Sequence, residues 1–589
     1  MEQYRNFRLC GYVYAYYLDK TDLAQMQKDI DFAKYYTGMD KVYLETHRAL
    51  VDIPKEKMLA AKGLFEKNGF EVSGGITTTV LVNDTPKPSI FDCFCFSDPA
   101  HRERFFQIVR DTAALFDEVI LDDYFFSPCR CKLCIEQKGG RSWEEFKLDQ
   151  LAEFSKEIVA LAKSVNPKCN FIIKYPNWYE SYQTTGYNPG VQKDIFDMIY
   201  TGTESRNSNF NHQHLQRYMS YSLIRYMENV APGRNGGGWI DLGGASADKN
   251  MWLEQANLTL FAGAKELMLF NFESVTRGDS LPPLGTDLRR IDALLDKAGT
   301  PTGVSAYEPY DSDGEDQLMN YLGMCGVPFE PKPEFDFDAK VLFLAENAAY
   351  DPQVVEKLKE YVKNGGRAVI TSGFLKATWD RGIRDMTSLI PTGRRVTGTK
   401  YQIDYLNIYD GSIHEAEEPA TFEVFTAKNN ATWCDVLLHV NDFCTPVLTQ
   451  DHYGDGLLNT LIIPDNFGDL YRIPGGIWAF ISKVFTRGRR LFLGTKPKAN
   501  LFEYDNGVFA VYNYHRYNSP VELTLIDDAF IGFEDMESGQ KFTEPHHVNP
   551  LPRRMGDSAS FTPEPLERVF RLHIAPGEFK FYRLIEKAR

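Results

Sequence analysis

The chain has 589 residues, 43% of them hydrophobic and 14% aromatic, and a formal charge of −16 from 65 Lys and Arg against 81 Asp and Glu. That length exceeds one compact core and predicts two to four domains. An acidic chain without a clustered Lys/Arg stripe argues against a nucleic-acid or anionic-membrane partner, and no run of eighteen apolar residues predicts a transmembrane helix.

The first twenty residues, MEQYRNFRLCGYVYAYYLDK, hold a short tyrosine-rich apolar run without a small-residue cleavage site. They read as a first β-strand rather than a signal segment, and the cytoplasm is the expected location. From there to about Val275, short apolar runs alternate with amphipathic helical stretches. The strand candidates are Gly11–Leu18, Lys41–His47, Glu71–Thr79, Glu118–Tyr124, Asn170–Pro176, Phe196–Ser205, Gly236–Gly243 and Glu266–Ser274. Eight strands interleaved with helices predict a (β/α)8 TIM barrel within residues 1–330. The rival, a doubly wound open sheet, lacks a G-x-G-x-x-G after the first strand. The glycine run Gly233–Trp239 reads as a plain loop before strand seven.

Barrel chemistry sits at the C-terminal ends of the strands, and here those ends are acidic. Glu45 closes strand two, Asp122 and Asp123 strand four, Glu204 strand six, Asp241 strand seven and Glu273 strand eight. Like charges repel in a partly desolvated cleft, so a ring of carboxylates marks the functional end of the barrel rather than its scaffold. Paired carboxylates at one mouth suit general acid–base catalysis. Trp178 and Trp239 are candidates for stacking on a sugar face, with rim packing the bland alternative. Lys174, Asn177, Arg206, His47 and Arg48 are candidates for binding hydroxyls.

Five of the ten cysteines crowd into about forty residues: Cys93, Cys95, Cys129, Cys131 and Cys134. C-x-C-x-x-C at Cys129–Cys134 needs one more thiolate, from Cys95 or Cys93, to complete a tetrahedral metal site. Four Cys ligands leave no open position, so such a zinc is structural. A catalytic zinc is not expected, because His212 and His214 form only a lone alternating pair.

Downstream, FDAKVLFLAENAAY and GGRAVITSG flank the helix PQVVEKLKEYVKNG, which predicts an α/β domain over residues 331–485 resembling a glutamine-amidotransferase-like sheet. Ser372 lacks a nucleophile elbow around it and reads as structural. Short alternating strands over 486–589 predict a terminal β-sandwich.

Strand four ending in DDY and followed by C-x-C-x-x-C, CFSDPAHRERF from Cys95, and WLEQANLTLFAGAKELMLFNF over Trp252–Phe272 together resemble the family 42 glycoside hydrolases. These are β-galactosidases with a zinc-bound cysteine quartet. The resemblance implies an order of barrel, amidotransferase-like domain and β-sandwich, with Cys95 as the fourth zinc ligand and no organic cofactor. It further implies a homo-oligomer (trimer or dimer) and exo-acting hydrolysis of a terminal, galactoside-like sugar from oligosaccharides or glycoconjugates, with retention. Carried across by position, the family's acid/base and nucleophile fall on Asp123 and Asp241, and its sugar-contacting Asn falls on Asp122. Both catalytic glutamates are thus aspartates here, which places the chain as a divergent relative.

A second arrangement resembles α-galactosidase-type barrels, with Asp123 as nucleophile and Glu204, beside Arg206, as acid/base. It is the preferred one. Two alternatives stand beside hydrolysis. One is a galactosyl-type phosphorylase with a single acid and a phosphate pocket at Arg206, Arg234 or the loop at Gly236. The other is a non-catalytic carbohydrate-binding relative.

Overall fold

The computed structural model describes residues 3–79, 93–207, 215–241, 249–403, 413–549 and 567–588. His212, His214 and the end of the expected seventh strand at Gly243 lie outside them. The chain divides into two compact units, Met1–Asp296 and Lys297–Arg589.

Eight parallel strands form the first unit: β1 (Arg8–Val13), β2 (Lys41–Arg48), β3 (Glu71–Ile76), β4 (Glu118–Leu121), β5 (Asn170–Tyr175), β6 (Met198–Gly202), β7 (Asn235–Asp241) and β8 (Glu266–Phe270). Each pairs with its neighbour, and β1 pairs with both β2 and β8, so the sheet closes into the expected barrel. Cys10, Tyr12, Tyr43, Ile120, Ile172, Tyr200, Trp239 and Met268 share one interior cluster. Cys10 and Tyr12 show the two-residue period that turns alternate side chains inward.

Large aromatic side chains fill this interior, and small residues must face them. A Cβ on Gly237 would come within 2.8 Å of the Tyr200 hydroxyl and 2.3 Å of the Glu266 carbonyl; one on Gly238 would meet Thr259 at 2.2 Å. The expected loop at Gly233–Trp239 is therefore largely strand: from Asn235 onward it is β7, and its glycines answer crowding inside and outside the barrel rather than a turn. At the N-terminal end of the barrel, Lys41 Nζ bridges Glu118 at 2.7 Å and Glu266 at 2.8 Å, closing it with a buried ion cluster.

The second unit holds a mixed sheet and two antiparallel sheets. The mixed sheet has five parallel strands (Phe329–Lys332, Val304–Tyr307, Leu342–Leu344, Arg367–Thr371, Gly456–Leu461), of which Leu342–Leu344 and Arg367–Thr371 are the pair read from the sequence. The sheet then continues antiparallel through Phe443–Tyr453, Thr432–Val440, Leu389–Ile403 and Ile413–Ala427, strands the sequence reading did not anticipate. Ser372 begins a short helix after Arg367–Thr371, and its hydroxyl accepts from the Ile463 amide, a structural use. The terminal antiparallel sheets share a core of residues from both, among them Leu493, Val511, Leu523, Phe533, Leu572 and Tyr582. Among the described residues, no helix is long and apolar enough to cross a membrane.

Candidate active site

The C-terminal ends of β2, β4, β5, β6 and β7 bring five carboxylates and three cations together. Glu45, on β2, is fully buried. It accepts from the Tyr12 hydroxyl (2.9 Å), the Ala15 amide (2.6 Å), the Thr77 hydroxyl and Arg48 Nε (2.9 Å). Arg48 also reaches Thr77 Oγ1 at 2.9 Å and Asp122 Oδ2 at 3.1 Å. Asp122 caps the end of β4 by accepting from the Asp123 amide at 2.8 Å.

Lys174, next to last in β5, occupies the centre. Its Nζ lies 3.0 Å from Asp123 Oδ2, 3.1 Å from Glu204 Oε1 and 3.4 Å from Asp122 Oδ1, and 4.1 Å above the Trp239 ring. Glu204 follows β6 with only 2% of its side chain exposed, and its Oε2 meets no hydrogen-bond partner among the described residues. The Asn177 side chain donates to the Glu204 carbonyl at 2.8 Å, fixing the backbone there. Asp241, at the end of β7, receives Nη2 and Nε of Arg206 at 2.8 and 3.2 Å.

Ionisation follows this geometry. Burial works against a charge on Asp122, but Lys174 and Arg48 outweigh it and hold the carboxyl below the usual aspartate value. Asp123 has the opposite balance: burial, with Asp122 and Glu204 as like charges, pushes it up to about 7 against the pull of Lys174. Burial also raises Glu204, opposed by Lys174. Five carboxylates face three cations here, so a proton held on the Asp123–Glu204 pair near neutrality is the electrostatic consequence.

The other expected residues are placed as follows. Glu273 stands apart from the cluster, accepting from the Tyr14 hydroxyl and pairing with Arg277. Trp178 is half-buried, edge-on to Phe126 at 5.8 Å. Trp239 is 1% exposed, packed on Tyr12 and Phe270, with its face taken by Lys174. His47 uses Nδ1 on Asp52 and Nε2 on the Thr79 carbonyl, both at 2.8 Å, and so ties down the segment after β3. Tyr12 and Thr77 belong to the site and escaped the sequence reading. Their only signal was position, as an inward tyrosine of the first strand and a threonine just past the end of the third.

Residues 1–282 match the family model "Probable glycosyl hydrolase, catalytic domain". That match covers the whole barrel and its ring of carboxylates. An uncharacterized protein of Saccharolobus solfataricus is 25% identical over 400 residues, 61% of this chain; the chain spans 65% of that relative's length. A β-galactosidase from Rahnella sp. R3 superposes with a TM-score of 0.65 at 12% identity, over 99% of this chain and 100% of that one. A catalytic mutant of a GH42 β-galactosidase from G. stearothermophilus gives 0.62 at 12% identity over 98% of each chain. At such identity the likeness shows a shared fold, and that fold is the one the strand-four motif implied.

Beside the mouth, Cys95, Cys129, Cys131 and Cys134 are grouped so that their sulfurs all lie within 4.8 Å of one another, and the four could hold a metal ion such as zinc. The Sγ separations are 3.7 Å for Cys95–Cys131, 3.6 Å for Cys95–Cys134 and 3.7 Å for Cys131–Cys134. A tetrahedral site with Zn–S bonds near 2.3 Å requires edges of about 3.8 Å, so the thiols fit such an ion.

Proposed function

We propose that the chain is an exo-acting, retaining glycoside hydrolase whose catalytic pair is Asp123 and Glu204. The observation that carries this reading is their shared lysine. One oxygen of each sits about 3 Å from the same nitrogen, so those two oxygens are at most about 6 Å apart, a spacing compatible with the ~5–5.5 Å between the carboxyl groups of retaining enzymes.

Asp123 is proposed as the proton donor and Glu204 as the nucleophile, the reverse of the roles preferred from the sequence, because the Asp123 carboxyl is raised to about 7 and its side chain is 19% exposed. As Glu204 forms a bond to the anomeric carbon, the glycosidic bond breaks and the Asp123 proton passes to the leaving oxygen. Asp123, now ionised, then takes a proton from water as the water oxygen bonds to the anomeric carbon and the Glu204 ester bond breaks. Asp241 is the rival for the attacking role. Its strand position and 14% exposure favour it, while its two-point hold on Arg206 competes with attack.

The sugar is proposed to be galactoside-like, because the solved structures that share the fold are β-galactosidases. A phosphate pocket has less support, because Arg206 lies on Asp241 beyond the end of β7, while Arg234, just before the start of that strand, donates to the carbonyls of Lys193 and Phe196. Zinc held by the four cysteines would be structural. Four thiolates leave it no open position, so its chemistry is to brace the segments carrying Cys95 and Cys129–Cys134.

The test is hydrolysis of a panel of α- and β-linked aryl glycosides by wild type, Asp123→Asn, Glu204→Gln and Asp241→Asn. Full activity of Asp123→Asn would sink the assignment. Azide rescue of Glu204→Ala, with a glycosyl azide of inverted configuration, identifies the nucleophile; rescue of Asp241→Ala instead transfers that role.

A further inference from the structure

Lys174 looks at first like a sugar ligand, being a cation among acids at a barrel mouth. The contacts deny it that use. Its three N–H bonds are matched by carboxylate oxygens of Asp122, Asp123 and Glu204, and its remaining side is covered by Trp239. No donor is left to meet a hydroxyl.

We propose that Lys174 is a positioning residue that clamps Asp123 and Glu204 to one ammonium, so that the two acids share a single proton at a fixed separation without the lysine touching the sugar. This rests on Asp123 and Glu204 being the catalytic pair. The carboxylates come from two different strand ends, and without a cation between them they would repel and swing apart. Among the other charged and titratable groups facing this point, Asp241 adds a like charge toward Glu204, and Tyr124, beside Asp123, is kept in the phenol form chiefly by burial. Arg48, from β2, is committed to Glu45 and Asp122, and Arg206 to Asp241. Tyr182 and Tyr187, from the segment after β5, are kept in the phenol form by burial. Lys174 is thus the cation in direct contact with both acids of the pair among the described residues.

A cation in contact lowers a carboxylate's pKa by about 1–3 units, so its removal raises the pair. The attacking carboxylate must be ionised, and the acid limb of the pH–rate profile therefore moves to higher pH. Lys174→Met is expected to lower kcat by about 100-fold or more, to change KM less than about 3-fold, and to move the acid limb of kcat up by about one unit or more. Lys174→Gln, which keeps hydrogen bonding without charge, shifts the limb the same way and decides the matter alone if the Met variant does not fold. Lys174→Arg returns the limb towards wild type. Thermal unfolding controls for folding in each case.

A KM raised tenfold with the acid limb unmoved would make Lys174 a substrate ligand and overturn the inference. Loss of kcat with an unmoved limb would also overturn it, leaving only a packing role. Failure of the underlying reading looks different: Asp123→Asn would then stay active whatever the lysine variants do.

Discussion

Gly202, the last residue of β6, gives a test of Glu204 that leaves every charged group in place. A Cβ built there would stand 2.7 Å from Glu204 Oε2, with the Tyr175 carbonyl at 3.2 Å and the Asn177 amide at 3.3 Å. Ordinary carbon contacts begin near 3.4 Å, so Gly202→Ala drives the carboxylate back by roughly 0.7 Å. Glu204 cannot follow freely, because its other oxygen is held by Lys174 and its backbone carbonyl by Asn177. A displacement approaching 1 Å in a catalytic group costs up to about 100-fold in rate, so kcat is expected to fall by roughly 10–100-fold. Gly202 has no positive φ, so alanine introduces no backbone strain, and the close contacts themselves are expected to cost about 1–3 kcal/mol of stability. The assay is kcat on the best aryl glycoside, paired with thermal unfolding. A folded variant with wild-type kcat would remove Glu204 from the catalytic pair.

Asp123→Asn should lower kcat by about 10²–10⁴-fold, and in the wild type kcat/KM should fall as pH rises through about 7, where Asp123 loses its proton. The same substitution should stabilise the protein at pH 8 but not at pH 4. A carboxyl raised to about 7 on folding contributes stability below its unfolded pKa and loses it as pH rises through 7; equal shifts in Tm at both pH values would refute this. Arg48→Met leaves Glu45 and Asp122 without their common cation and is expected to cost about 3–5 kcal/mol by chemical denaturation. Cys131→Ser should abolish bound metal, measured by elemental analysis, and lower Tm by roughly 10 °C, while Cys93→Ser keeps both metal content and Tm.

The barrel was legible because its strands announce themselves through apolar runs at regular intervals, and their ends fix where Glu45, Asp122, Asp123, Glu204 and Asp241 converge. The antiparallel strands Leu389–Ile403 and Ile413–Ala427 were not, because LIPTGRRVTGTKYQI is polar and mostly half-buried or exposed. Cross-strand pairing holds such a segment, and pairing leaves no apolar period to read. The glycines of β7 misled for a related reason: glycine punctuates loops in sequence, whereas here Tyr200, Glu266 and Thr259, distant along the chain, demand the missing Cβ.

The partner of Glu204 shows the limit most clearly. Sequence neighbourhood offered Arg206, two residues on. The backbone at Arg206 takes a left-handed turn, φ 51°, and its guanidinium goes to Asp241. Glu204 turns instead to Lys174, thirty residues upstream on the adjacent strand. Strand periodicity carries a side chain's depth along the barrel, and the acids were found through depth. Which cation meets which acid depends on side-chain direction at loop residues that no periodicity governs, and so the pairing became readable only in three dimensions.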